Sequence, residues 1–450
     1  MVAKHRRGQG AVKRIRTSSN ASMLRPARTD RIRLTGFESR NHRAEKEAED
    51  TVKFAFFVLP HLGGTFSVFL QLRATLARHG IELIWIGSVN RLELEENASL
   101  APLLDCGVPI APTEDTRQAA QAWAIAEAIS AVHCDGVMVN VLSDRVSTNL
   151  VRYLPASLLR IMIVHNMTPG TYAAARAIRD HVHATVCVSQ RAKDDLLNHY
   201  GFDQSRIHVI ENAVTLHEQS MRSERRSEQD TLRVLYLGRI EDASKGVLWL
   251  PRIFDNVTQP VSLTVAGDGP DMDRLRRSLA TKPYQVTFLG ALPSSKVPQV
   301  LADHDALIMP SRYEGLPMSL IEGMSAGCIP VASYIRGVTD TIIDDRRDGL
   351  LFPVGDCQAA ARCLDTLAAN PVWCDGLSAS AIEKARSHYR ADRMGADYAR
   401  LIFTLRANPP RIRPSLSLAG WRFPLGLRPG LRTYLPTPIK NTLRRIRART

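Results

Sequence analysis

Residues 311 to 331 read SRYEGLPMSLIEGMSAGCIPV, a polar loop followed by an amphipathic stretch and a short apolar run. Proline is tolerated in the first turn of a helix, where its missing N–H has no intrahelical acceptor. A helix is therefore expected to start near Pro317 and to end at Gly327. The apolar run after this glycine is typical of a buried strand, so the stretch predicts the loop, helix and strand order of an α/β fold.

Two glutamates, Glu314 and Glu322, stand eight positions apart in this stretch. In one continuous helix that offset would turn the second side chain about 80° away from the first. Gly315 and Pro317 argue against such continuity, so Glu314 is expected in the loop and Glu322 inside the helix. The N–H groups of a first helical turn lack intrahelical acceptors and form an anion site. Here they belong to Leu316, Met318 and Ser319.

Short apolar runs alternate with amphipathic segments from about residue 52 onward. VKFAFFVLP predicts a buried strand, HLGG a loop, and residues 65–79 a helix that ends at Gly80. Further strand candidates in the first half are IELIWIG, DGVMVNVL, RIMIV and ATVCV; those in the second half are LRVLYLGR, VSLTVAG, QVTFLG, ALIMPS and IPVAS. The pattern predicts two Rossmann-like, doubly wound parallel sheets, with a central cleft between the carboxyl ends of their strands.

The expected domain organisation follows from where this alternation starts, stops and restarts. Residues 215–231 lose apolar periodicity and predict a linker, and both ends of the chain are basic. The expected segments are a disordered basic tail at 1–50, a first Rossmann-like domain at 51–214, the linker at 215–231, a second Rossmann-like domain at 232–386, a final helix returning to the first domain at 387–407, and a basic, proline-rich tail at 408–450.

The net charge of +14 is concentrated at the two ends. Residues 1–46 and 405–450 together carry +21, which leaves a mildly acidic body. Such ends suit an anionic surface. Nucleic acid is not expected, because no aromatic residues interleave with the basic N-terminal run as stacking platforms. Residues 421–449 mix arginines with apolar side chains, which suits peripheral attachment to anionic membrane, and a disordered basic tail is the alternative interpretation. These side chains are Trp421, Phe423, Leu425, Leu427, Leu431 and Tyr434.

The cysteines and the N-terminus indicate a cytoplasmic location, or one at the inner face of the membrane. The seven cysteines are odd in number and show no CxxC or zinc-ligand spacing, as expected for free thiols in a reducing compartment. The N-terminal stretch is charged but lacks the apolar core of a signal peptide, and no apolar run reaches the length of a membrane span.

From about residue 52 to 405 the sequence resembles the retaining GT-B glycosyltransferases of family 4, which transfer a sugar from a nucleotide-diphosphate donor. The Glu-x7-Glu element with its downstream GCIPVAS carries the resemblance most specifically. In that family the first glutamate contacts hydroxyls of the donor sugar, the second binds the ribose, and the amides between them hold the diphosphate. The resemblance assigns these roles to Glu314, to Glu322, and to the backbone of Gly315, Leu316, Met318 and Ser319.

The same resemblance implies a basic pair on the diphosphate. YLGRIEDASKG supplies Arg239 after a strand and Lys245 six residues later. Departure of a nucleoside diphosphate develops negative charge, which preorganised cations stabilise. A solvated loop is the alternative interpretation of both residues.

Three further loops match the family pattern. LPHLGG places Gly63 and Gly64 where backbone amides could approach phosphate or acceptor, although a tight turn alone would explain them. IVHNM places His165 at the end of a strand, where the family lines its sugar pocket, and a buried core histidine is the alternative. FLGAL places Gly290 and Ala291 in the segment that passes the base in the family, and a plain crossing from strand to helix is the alternative.

The resemblance implies a metal-independent, retaining hexosyltransferase with Glu314, His165, Arg239 and Lys245 as catalytic residues. Its expected partners are a nucleotide-sugar donor, which is a substrate and not a cofactor, and a glycan or lipid-linked acceptor, in cell-surface polysaccharide synthesis. A nucleotide-sugar epimerase of the same fold would need no acceptor. A non-catalytic nucleotide-sugar-binding scaffold is the other alternative, and the intact donor residues argue against it.

Several positions depart from the family pattern or imitate a metal site. NAVT stands in the interdomain loop in place of the usual Asn-Gly-Val-Asp. RGVTD stands where Gly-Gly-x-x-Glu is usual, with Arg336 and Asp340 in the altered places, and Asn166 follows the histidine where an acidic residue is common. The DMD at 271–273 opens a helix, where acidic residues complement the dipole, and HVHATVC lacks a fourth ligand at sensible spacing. No metal site is expected.

Overall fold

The structure is a computed structural model that describes residues 51–60, 64–97, 100–112, 118–142, 144–214 and 231–428. The predicted N-terminal tail, Gly63, almost all of the predicted linker and residues 429–450 lie outside the described residues.

The first domain is built on a seven-stranded sheet in which every neighbouring pair is parallel. Its strands are β1 (Val52–Phe57), β2 (Ile81–Ser88), β3 (Gly107–Ile110), β4 (Gly136–Asn140), β5 (Leu159–Val164), β6 (Ala184–Cys187) and β7 (Ile207–Val209). The strand order is β3-β2-β1-β4-β5-β6-β7. The central strands β4 and β5 are buried along their whole length, as expected for a parallel sheet covered on both faces.

Helices connect these strands and cover the sheet. They are α1 (Gly64–Ala77), α2 (Arg91–Glu95), α3 (Gln118–Ala131), α4 (Arg145–Leu150), α5 (Pro169–Ile178) and α6 (Gln190–Tyr200). The apolar face predicted for α1 is buried through Phe66, Phe69, Leu72 and Leu76. The chain leaves this helix through Gly80 at φ 70°, in the left-handed region that favours glycine.

The second domain repeats the scheme with a six-stranded parallel sheet. Its strands are β8 (Leu232–Leu237), β9 (Val261–Ala266), β10 (Gln285–Gly290), β11 (Ala306–Met309), β12 (Ile329–Tyr334) and β13 (Leu350–Pro353), in the order β10-β9-β8-β11-β12-β13. Its helices are α7 (Asp242–Lys245), α8 (Leu250–Phe254), α9 (Met272–Leu279), α10 (Val297–Ala302), α11 (Met318–Ser325), α12 (Thr339–Ile342), α13 (Cys357–Ala369) and α14 (Pro371–His388). The predicted fold class, two Rossmann-like parallel-sheet domains, is confirmed.

After α14 the chain returns to the first domain. An isolated parallel bridge joins Val214 to Arg390, and α15 (Ala391–Ala407) follows. A Cβ atom on Gly395 of α15 would lie 2.4 Å from the side chain of Thr75 in α1, so only glycine permits this close approach. The final helix therefore begins at Ala391, four residues later than the predicted range, and packs against the first helix of the fold.

Residues 408–428, here called the strap, continue along the first domain. The Arg422 carbonyl oxygen accepts hydrogen bonds from the side chains of Asn149, Arg152 and Tyr153. The Trp421 ring lies 4.8 Å from that of Tyr153, centroid to centroid. Leu427 is 1% exposed. The strap is thus part of the folded domain.

The packing of the strap corrects part of the membrane prediction. Leu427 is buried, and Trp421 and Phe423 pack against the apolar core between the sheet and its helices. Leu427 is therefore not available for insertion into a lipid bilayer, and Trp421 and Phe423 are partly buried. Leu425, by contrast, is 84% exposed. Among the helices that the structure describes, none has the length and apolarity needed to span a membrane.

Candidate functional site

The predicted cation and the first predicted carboxylate form an ion pair in the second domain. Lys245 ends α7, and Glu314 lies in the loop after β11. The Lys245 Nζ donates to both carboxylate oxygens of Glu314, at 2.7 and 2.9 Å. The Ser311 hydroxyl donates to Glu314 Oε1 at 2.6 Å. The Glu314 side chain is only 9% exposed, so its charge is held in a fixed position by these donors.

Two helix N-termini converge beside this pair, one from each domain. A Cβ atom on Gly64, the first residue of α1, would lie 3.6 Å from the side chain of Met318, the first residue of α11. The amides of Leu316, Met318 and Ser319 donate to no group among the described residues. Unpaired first-turn amides and the positive ends of two helix dipoles make this place suitable for an anion.

The loop between the two glutamates touches the first domain through Gly315. A Cβ atom at this position would lie 1.7 Å from the backbone oxygen of His165. No side chain larger than hydrogen fits without moving one of the two loops. Gly315 therefore sets how closely the two domains approach at the cleft.

His165 is a neutral hydrogen-bond donor in this arrangement. Asn140 Nδ2 donates to the carbonyl oxygen of Phe57 at 2.9 Å, so Asn140 Oδ1 faces His165 Nε2, 2.8 Å away, as an acceptor. The proton of the imidazole is thus assigned to Nε2 by its partner. Burial lowers the pKa of His165 to about 4, because desolvation disfavours the charged ring.

Glu322 lies inside α11 and is half-buried. Its carboxylate accepts no hydrogen bond and forms no ion pair within the part of the chain that the structure describes. Burial raises the pKa of Glu322 to about 7. A half-buried carboxylate with spare acceptor capacity is suited to hydroxyl donors from a ligand.

The remaining predicted site residues lie at the ends of the second-domain strands. Arg239 is exposed after β8, and its carbonyl oxygen accepts from the hydroxyl of Tyr236 at 2.9 Å. Gly290 adopts φ 69° at the end of β10 with open space around its missing side chain, and Ala291 is exposed.

Residues of the two motifs that imitate metal sites accept hydrogen bonds from backbone amides. His183 Nδ1 accepts from the amide of Arg160 at 3.0 Å, and Asp271 Oδ2 accepts from the amide of Asp242 at 2.8 Å. Among the described residues, no group of three or more His, Cys, Asp or Glu side chains is placed to hold a metal ion.

The altered RGVTD segment also makes contacts of its own. The carbonyl oxygen of Arg336 accepts from the guanidinium of Arg191 in the first domain, and Asp340 Oδ1 accepts from the amide of Val338 at 3.0 Å. This departure from the family pattern therefore coincides with a contact between the two domains.

Two family models match the two halves of the chain. The model described as Glycosyltransferase Family 4 matches residues 62–218, and the model described as Glycosyl transferases group 1 matches residues 231–370. Together they cover about two thirds of the sequence. The chain belongs to the group 1, family 4 glycosyltransferases.

Curated relatives of this family 4 chain match over parts of their length. The 2-deoxystreptamine N-acetyl-D-glucosaminyltransferase of Streptomyces fradiae is 35% identical over 28% of this chain and 33% of its own length. The alpha-D-kanosaminyltransferase of Streptomyces kanamyceticus is 24% identical over 51% of this chain and 62% of its own length. The chain thus spans less than two thirds of the length of these relatives.

Solved structures share the GT-B fold. Sucrose-phosphate synthase from Thermosynechococcus elongatus has a TM-score of 0.65 at 17% identity, covering 79% of this chain and 99% of that one. The Anabaena protein Alr3699/HepE, solved in complex with UDP and glucose, has a TM-score of 0.65 at 16% identity, covering 79% of this chain and 100% of that one. At these identities the likeness supports the fold alone.

Sequence reasoning missed residues that hold the site together. Ser311 and Arg312 belong to the same loop as Glu314, and Trp249 and Asp242 flank Lys245. Their closeness in sequence to the predicted pair was the available signal. Arg312 contacts both Asp242 and Trp249, and these contacts join two segments that are about 70 residues apart in the chain.

The raised pKa of Glu322 predicts a pH-dependent stability. Between its ordinary value of 4.5 and about 7 the folded state holds a proton that the unfolded state releases. The free energy of unfolding therefore falls as pH rises through this window. The Gln side chain of Glu322→Gln cannot ionise, so the variant avoids the free-energy cost of holding a charged carboxylate in the folded state. It is expected to be more stable than the wild type at pH 8 by on the order of 2 kcal/mol.

Denaturant unfolding of both proteins at pH 5 and pH 8 measures the effect. The advantage of the Gln variant should shrink toward pH 5, where the wild-type carboxyl is protonated. Parallel stability curves for the two proteins would contradict the burial of a chargeable group at this position.

Proposed function

We propose that the protein is a retaining glycosyltransferase that moves a sugar from a nucleotide-diphosphate donor to a glycan or lipid-linked acceptor. One observation carries the proposal. Glu314, which forms an ion pair with Lys245, lies in the loop that leads into the unpaired first-turn amides of α11. A cation and free amides suit a diphosphate, and a fixed carboxylate beside them suits sugar hydroxyls.

Each side chain has a defined part in the proposed reaction. Lys245, Arg239 and the α11 amides stabilise the negative charge that develops on the departing diphosphate. Glu314 orients the sugar, and Glu322 accepts hydrogen bonds from the ribose. His165 lines the sugar pocket as a neutral donor, consistent with its lowered pKa. The proposal assigns charge stabilisation to these groups and requires no metal ion.

Transfer proceeds at the front face of the sugar. The bond from the anomeric carbon to the diphosphate oxygen breaks, the acceptor oxygen bonds to the same face, and the leaving phosphate takes the acceptor proton. Approach of the two domains at Gly315 excludes water from this step. The relatives named above, which are themselves glycosyltransferases, support the reaction class.

The acceptor side of the proposal includes cell-surface polysaccharide synthesis at the inner face of a membrane. The basic residues of 1–46 and 405–450 support attraction to an anionic surface. An assay with and without added acceptor separates transfer from epimerisation, which needs no acceptor.

The donor site is tested by a melting scan against nucleoside diphosphates and their sugars. A ligand that binds only the folded state at a hundredfold excess over Kd stabilises it by about 2.7 kcal/mol. Nucleotides with one particular base should therefore raise the melting temperature more than the others do. Lys245→Met should weaken that ligand at least ~10-fold, since it removes a charge-assisted contact to phosphate. The unliganded melting point is the control.

Failure of every nucleotide to shift the wild type at millimolar concentration would reject the proposed donor site. So would a Lys245→Met protein that binds the selected nucleotide as tightly as the wild type does.

Retention of configuration is a separate expectation of the proposal. An NMR spectrum of the early product should show the anomeric configuration of the donor, because front-face transfer leaves the same face of the sugar bonded. An inverted product would reject this mechanism while leaving the donor site intact.

A further inference from the structure

Arg312 fastens the helical turn that carries Lys245 to the loop that carries Glu314. Its Nε donates to the carbonyl oxygen of Asp242 at 3.0 Å, and its Nη2 lies 3.3 Å from the Asp242 carboxylate. Its own amide donates to the carbonyl oxygen of Ser244 at 2.8 Å. Asp242 and Ser244 both belong to α7, the turn that ends with Lys245.

The guanidinium of Arg312 is held in a fixed plane. Its Cζ lies 3.7 Å from the ring centroid of Trp249, as in a stacked cation–π contact. The side chains of Arg312 and Asp242 are 13% and 4% exposed. The Asp242 carboxylate also accepts from the amide of Leu248 at 3.1 Å. A planar, delocalised cation fits this arrangement, and the point charge of a lysine does not.

The backbone after Lys245 leaves α7 little freedom. Gly246 adopts φ 61°, and a Cβ atom there would lie 2.2 Å from the carbonyl oxygen of Pro310. The turn is therefore pressed against the end of β11 at Gly246 and tied to Arg312 at Asp242 and Ser244. Contacts on both sides of Lys245 thus fix the backbone from which its side chain extends.

We propose that Arg312 is a positioning residue for Lys245. It holds α7 where the Lys245 ammonium reaches Glu314 and, under the function proposed above on which this inference rests, the diphosphate of the donor. Arg312 acts through Lys245 and not as a ligand, since its guanidinium is directed at Asp242 and Trp249. A residue that acts only through another loses its effect when that other residue is removed.

A double-mutant cycle tests this dependence. The Kd for the nucleoside diphosphate selected by the wild type is measured calorimetrically for four proteins: the wild type, Arg312→Lys, Lys245→Met and the double variant. Arg312→Lys is expected to weaken binding about tenfold in the wild-type background and less than about twofold in the Lys245→Met background. Equal losses in both backgrounds would overturn the inference.

Two controls separate positioning from general destabilisation. Arg346→Lys alters another arginine in the second domain, 6.0 Å over the ring of Trp373, and should leave the Kd unchanged. Trp249→Phe keeps an aromatic face and should retain binding near the wild-type value, whereas Trp249→Leu should reproduce the loss. If Arg312→Lys fails to fold, Trp249→Leu takes its place in the cycle.

The outcomes for the two proposals are distinguishable. A wild type that binds no nucleoside diphosphate overturns the proposed function and this inference with it. A wild type that binds normally, beside an Arg312→Lys variant of equal affinity, overturns the inference alone.

Discussion

Replacing Gly315 by alanine is expected to reduce sugar transfer at least ~100-fold and to weaken nucleotide binding much less. The added Cβ atom would lie 1.7 Å from the backbone oxygen of His165, so one of the two loops must move. A misplacement of about 1 Å at an active site can cost 100-fold in rate. The proposed nucleotide ligands Lys245 and Glu322 lie outside the Gly315 loop and keep their places, whereas the Leu316 amide shifts with that loop.

Two quantities are measured for each protein: kcat for sugar transfer and Kd for the selected nucleoside diphosphate. Gly376→Ala is the matched control, because a Cβ atom there meets nothing within 4 Å and the position lies inside a helix. A Gly315→Ala enzyme with wild-type kcat would show that the domains need not approach at this point. A large loss of nucleotide affinity would show that the main damage is to the diphosphate-binding amides next to Gly315 and not to the approach of the two domains.

Replacing Leu427 by alanine is expected to lower the free energy of unfolding by about 3 kcal/mol, the usual cost of truncating a buried leucine. Leu427 is 1% exposed at the end of the strap, within the core beneath α5. Gly426 next to it has room for no Cβ atom, since one would lie 2.2 Å from the carbonyl oxygen of Ala173. The strap therefore cannot shift easily to fill the cavity.

Leu425→Ala is the control for this experiment. Leu425 is 84% exposed two residues away, so its truncation should change stability by less than about 0.5 kcal/mol. Denaturant unfolding of the two variants gives the difference. Equal stabilities would mean that the strap is not anchored in the folded domain.

The fold could be predicted from the sequence because its central strands are continuous apolar runs between helical segments. The strands β3, β7 and β13 were missed, since they have only four, three and four residues and lie at sheet edges. A parallel strand this short has no periodicity of its own, and its pairing depends on a neighbour already in place. The start of α15 was predicted four residues too early for a related reason, because the bridge from Val214 to Arg390 is a tertiary contact.

The site could be predicted as residue types in two loops but not as an arrangement. Spacing placed Glu314 after a strand and the free amides at a helix start. It could not show that Lys245, 69 residues earlier, donates to both oxygens of Glu314. Arg312 has no motif to mark it, and its role becomes visible only through its contacts with Asp242 and Trp249.

The return of the chain through α15 and the strap has a consequence for biosynthesis. The second domain is contiguous from β8 to α14, whereas the first needs α15 against Thr75 and the strap against Tyr153. Domains commonly fold in the order in which the ribosome produces them. In this chain the first domain is translated first but completed last, because α15 and the strap follow the second domain in the sequence. Until they are translated, α1 lacks its packing partner α15.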